Sequence, residues 1–175
     1  VFMMFSLICG TALAKQPAPP PPPPEPVCGG LTGTWHGEQP GDMSWLALHT
    51  SDSLDPAKGE MLMNWIDTTF LGPDFNLTPG HGVWQFNSEG NYFDYTWYAF
   101  VIDSLGTQLG TIRVSGAALF EVVDLVEDCN RVNIYYQMDY FDYVVLVGGW
   151  DTAIPVGGES GYAFQLRAPM VVPSP

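Results

Sequence analysis

Residues 91–102 read NYFDYTWYAFVI, with Ser88-Glu89-Gly90 before them and Asp103-Ser104-Leu105-Gly106 after. Aromatic and β-branched residues alternate through the stretch, and turn residues bound it on both sides. That is the pattern of a strand between hairpin connections. One face carries Phe93, Tyr95, Trp97, Ala99 and Val101; the other carries Tyr92, Asp94, Thr96, Tyr98, Phe100 and Ile102. A strand with one face in water would be polar on that side, but here both faces hold aromatics. A barrel with an aromatic and polar lumen accommodates this. A homodimer covering the outer face accommodates it equally.

The same period recurs along the chain. Strand candidates are Leu31–Gly37, Ser44–Thr50, Glu60–Ile66, Gly82–Asn87, Thr107–Val126 with a bend at Gly116, Arg131–Phe141, Tyr143–Val147 and Gly161–Arg167. On Arg131–Phe141 one face has Ile134, Tyr136, Met138 and Tyr140, and the other Asn133, Tyr135, Gln137, Asp139 and Phe141. No stretch has a helical repeat with sensible caps. The expectation is an all-β, antiparallel up-and-down barrel of about eight strands.

Two segments precede this domain. Val1–Ala14, VFMMFSLICGTALA, is apolar and ends in Ala12-Leu13-Ala14, so residues 1–14 read as an export signal cleaved after Ala14. It is shorter than the ~20 residues a membrane span needs. Cys9 follows Leu7-Ile8 rather than a small residue, which favours cleavage over a lipid anchor. Residues 15–26 hold QPAPPPPPPEP, a stiff polyproline linker better suited to spacing than to capture of a proline-binding module. The barrel domain is then 27–168, and 169–175 is an extended tail. With 19 acidic against 5 basic side chains the formal charge is −14, which disfavours nucleic acid and anionic lipid as partners and favours solubility.

Gly33-Thr34-Trp35 opens the first strand and Gln165-Leu166-Arg167 closes the last. This pairing resembles the lipocalin and wider calycin barrels, which implies that Trp35 packs beneath Arg167, a guanidinium on an indole face. A longer set is Gly80-His81-Gly82-Val83-Trp84 with Thr96, Phe100, Asp103, Gly106 and Gly110. It is similar to a group of small exported bacterial proteins with lipocalin-like barrels and no assigned activity. The chain departs from that group in its acidic late half and its Glu121–Asp128 segment. The resemblance therefore implies fold and export rather than a shared ligand.

Candidates for chemistry are few. Asp94 and Asp139 sit among tyrosines, and in a lumen either would be a desolvated polar anchor. Tyr92, Asp94, Tyr98, Phe100, Tyr135 and Asp139 are accordingly the expected ligand-binding set, facing a small hydrophobic or aromatic molecule. Arg113 is a partner for either carboxylate, or a plain surface arginine. His36, His49 and His81 lack the spacing of a metal site, and His81 between two glycines draws most notice. No nucleophile elbow, phosphate loop or dinucleotide motif is present, so no catalytic residue, cofactor or metal is assigned. The expected function is binding by an exported barrel. The alternatives are a lumen-based isomerase or cyclase using an acidic residue, and a structural surface-display domain.

Removal of the signal leaves Cys28 and Cys129 as the sole cysteine pair, which reads as one disulfide closing a long loop. The chain-entropy model gives such a bond about 4.7 kcal/mol. Intact mass of exported protein, alkylated with and without prior reduction, should show two thiols only after reductant. Two free thiols in the unreduced sample would contradict the pairing.

Overall fold

A computed structural model of the chain describes residues 28, 30–39, 43–66, 72–89, 91–142 and 153–168. The export-signal, proline-linker and tail segments, Cys9, and the Tyr143–Val147 strand candidate lie outside the described residues.

The described residues form nine strands: β1 (Gly33–Gln39), β2 (Met43–Ser51), β3 (Lys58–Trp65), β4 (Phe75–Leu77), β5 (Gly80–Asn87), β6 (Tyr92–Asp103), β7 (Gln108–Val123), β8 (Val126–Asp142) and β9 (Gly157–Arg167). Every pairing is antiparallel. The ring runs β1-β2-β3-β5-β6-β7-β8-β9 and returns to β1, where Trp35 pairs with Arg167. The protein is thus a closed eight-stranded up-and-down barrel, consistent with a lipocalin-like fold. β4 is an added short strand beside the far end of β6, pairing Leu77 with Val101. Its three residues were too short to register as a period.

The long Thr107–Val126 candidate is one strand, β7, together with the turn that follows it and the first residue of β8. β7 ends at Val123, Asp124 and Leu125 turn with φ of 52° and 68°, and β8 starts at Val126. Two successive left-handed residues make the tight hairpin turn that matches strand twist. Glycine or asparagine usually supplies it; a leucine there conceals the turn from sequence reading. The register of β7 shifts against β8 at Phe120/Glu121, and against β6 where Val101 pairs with Gly110 and Ile102 with Gln108.

Alternation decides what fills the barrel. Trp35, Trp45, Trp84, Phe93, Tyr95, Trp97, Ile112, Val114, Phe120, Val132, Ile134 and Met138 are buried inside it, with Trp65 packed against them. Indoles need space, and glycines on facing strands provide it. A Cβ on Gly37 would lie 2.0 Å from the Trp45 ring, and one on Gly82 would lie 2.4 Å from Trp97 Cβ.

One end is sealed by the segment before β1. Trp35 is fully buried and donates from Nε1 to the Leu31 carbonyl at 2.7 Å. The Arg167 guanidinium lies 4.7 Å from the Trp35 ring centroid and donates through Nη2 to the Gly30 carbonyl at 3.3 Å. The Cys28–Cys129 disulfide ties this segment to β8, with Cα atoms 5.2 Å apart. Replacing Arg167 by alanine removes the stacked stem as well as the charge. We expect Arg167→Ala to cost about 1–3 kcal/mol in urea melts. A loss within about 0.5 kcal/mol, the scale of a plain surface change, would show that the seal does not depend on it.

Candidate functional site

Parity sets the lumen. Along β6, Phe93, Tyr95, Trp97 and Ala99 are buried, while Asp94 and Phe100 are exposed and Tyr92 and Tyr98 half-buried. The face expected to point inward therefore points outward. The same holds on β8, where Tyr135 and Asp139 share the outer face and Ile134 and Met138 line the inside. Since side chains alternate with period two, the register that buries Trp97 necessarily sends Asp94 out. Tyr92, Asp94, Tyr98, Phe100, Tyr135 and Asp139 are thus placed on the barrel's exterior. A lumen-based acid at Asp94 or Asp139 is corrected on the same ground.

On that exterior the two carboxylates have different company. Asp139 accepts from Arg113 Nη2 at 2.7 Å and Nε at 3.2 Å, and from Gln137 Nε2 at 3.1 Å. Arg113 also lies over the Phe141 ring at 5.1 Å, so it is an engaged arginine rather than a free one. Asp94 accepts from Asn87 Nδ2 at 3.2 Å, and the same amide donates to Tyr92 Oη at 3.0 Å. His81 is exposed, and His36 lies 3.6 Å from Glu38.

Within the lumen, a partly open space of about 40 Å³ is bordered by Met43, Met61, Met63, Met138, Trp45 and Trp97, with Gln39, His49, Tyr95, Tyr136 and Gln165 among its polar groups. No carboxylate borders it among the described residues. A water needs roughly 10–15 Å³ by such a measure and a benzene about 150 Å³. As packed, the space is too small for a ring. Methionine is the side chain most able to change that, being unbranched and free to adopt other rotamers.

His49 is the group that stands out. It projects inward from β2 opposite Met61 of β3 and is only 3% exposed. Neither Nδ1 nor Nε2 has a hydrogen-bond partner among the described residues, and Trp45 Nε1 shares that state. Burial pushes the His49 pKa down from 6.5 to about 4, so the ring is neutral at pH 7, with one donor and one acceptor. Tyr95 is different. Its hydroxyl is pushed well above the ordinary tyrosine range, by burial first and Tyr136 second, and donates to the Tyr135 carbonyl at 3.2 Å.

Sequence reading passed over His49 because both faces of β2 look apolar. Leu46 and Leu48 alternate with Trp45, Ala47 and His49, and nothing local says which set faces in. No known family model matches the chain, and no characterised protein or solved structure matches it either.

The depressed histidine couples folding to pH. Below pH 6.5 the unfolded chain takes up a proton that the folded chain refuses until about pH 4. Stability from this group is complete above the unfolded value and falls as pH drops through that window, by about 3 kcal/mol in all. Comparing wild type with His49→Leu isolates it from the carboxylates. We expect the variant to lack this part of the pH slope, and to be no less stable than wild type at pH 7, because it removes two unmatched polar atoms. Superimposable slopes would place His49 in contact with water.

Proposed function

We propose that this chain is a binding module, an exported barrel that takes a small, neutral, largely apolar or aromatic molecule into its lumen. His49 is the anchor for that molecule's single hydrogen-bonding group. The observation that carries the reading is the buried imidazole with both nitrogens unmatched among the described residues, bordering the methionine-lined space. An unsatisfied buried polar group costs about 1–3 kcal/mol, and a bound partner that matches it recovers that cost. Gln165, also buried, offers a second polar contact, and the methionines supply adaptable apolar walls. The neutral ring offers no charge to a carboxylate, which favours an alcohol, phenol, amide or ketone head.

Export rests on the cleavable apolar leader and the proline linker, and the disulfide and acidic surface suit that setting. No helix among the described residues is long and apolar enough to cross a membrane.

Phenol and toluene differ by little but a hydroxyl. Titrated against the protein by ligand-observed NMR, phenol should bind roughly fivefold or more tightly than toluene, the value of about one net hydrogen bond. His49→Leu should abolish the preference while keeping toluene binding. A preference that survives in the variant, or no binding of either probe, would remove the proposal.

A further inference from the structure

The outer face holds a second surface whose chemistry is unlike that of the lumen. Asp94, Ala117, Tyr135 and Tyr162 are consecutive partners across β6, β7, β8 and β9. Tyr135 and Tyr162 are 59% and 66% exposed, and as direct cross-strand neighbours they stand side by side on the outer face. Two residues along the strands, Thr96, Ser115, Gln137 and Ser160 form the next row. Between the Asp94 wall and the tyrosines the floor is built of small residues, Ser115, Gly116 and Ala117, giving an open trough of about 750 Å³. Its width from β6 to β8 is two strand spacings, about 9–10 Å.

The geometry points to a binding site for a neutral oligosaccharide. Exposed tyrosine faces suit the C–H faces of sugar rings, being apolar, flat and cheap to order. The Asp94 carboxylate, the Gln137 side-chain carbonyl and the serine hydroxyls suit the hydroxyl groups that edge such rings. A purely apolar ligand would gain nothing from the polar groups, and a purely polar one would gain nothing from the tyrosines. Charge narrows the class. Among the described residues no basic side chain borders the trough, and the chain carries −14, so uronate, sulfated and phosphorylated polymers are repelled. Asp94 is held in place from the side by Asn87, so its position does not depend on the ligand. The trough is open along the sheet, which suits a chain rather than one compact molecule. The site is independent of the lumen, and its binding does not involve His49.

The test uses the full chain titrated with cellohexaose, xylohexaose and chitohexaose, with an oligogalacturonate as the charged control, read by calorimetry and protein NMR. At least one neutral hexasaccharide should bind saturably at millimolar concentration or below, and the oligogalacturonate should not. Tyr135→Ala and Tyr162→Ala should each weaken binding about tenfold, the corresponding Phe variants about twofold or less, and Asp94→Asn about threefold. His49→Leu should bind as wild type does. Absence of binding to all three neutral probes overturns the proposal, as does binding that the two alanine variants leave intact. Dimerisation of the wild type that these variants abolish would overturn it too, identifying the face as a contact between copies.

Discussion

An eight-stranded barrel has little room inside, and this one has to hold several indoles. Trp35, Trp45, Trp65, Trp84 and Trp97 all project into the same interior. They fit because glycines stand where a Cβ would strike a ring or its stem, Gly37 against Trp45 and Gly82 against Trp97. This complementarity locks the register of β1 against β2 and of β5 against β6. Slipping either pair by one residue would set an indole against a side chain and turn every neighbour to the wrong face. Closure of the ring, the seal at Trp35 and the direction of each polar side chain all follow from that register.

The same constraint explains why so little empty space remains. Aromatics and methionines fill the lumen to a residue of about 40 Å³. A wholly apolar residue at position 49 would finish the packing without penalty. The histidine there, neutral and unmatched among the described residues, is a departure from what stability alone would select, and such departures concentrate where a protein does its work. Methionine lining and an unmatched imidazole belong together on this view. In the proposed binding role, one supplies space on demand and the other supplies the reason for a ligand to enter.

Outside, the barrel is not an inert shell. Arg113, Asp139, Gln137 and Phe141 form one engaged cluster, and Asn87, Tyr92 and Asp94 another. Between them the small residues of β7 open the trough that Tyr135 and Tyr162 flank. The aromatics that decorate both faces of β6 and β8 thus serve two separate surfaces. The inner ones pack the core, and the outer ones stand available to solvent.

Local pattern determined the fold class. Period-two aromatic runs, turn residues between them and the absence of capped helices left an antiparallel barrel as the economical answer. The cysteine count likewise pointed to the Cys28–Cys129 bond, and both are features of the molecule. Local pattern did not determine which face of a strand looks inward. On β6 the side with the carboxylate looks like a functional lumen from its sequence, although Asp94 and Thr96 make it the more polar side. On β2 the two faces were too alike to separate His49 from Leu48. Nor did it show the Asp124-Leu125 turn, where the residue types disguise the backbone. Those choices belong to the tertiary structure because they depend on partners far along the chain. Trp97 faces in because Gly82 lies beside it, and Asp94 faces out because Trp97 faces in.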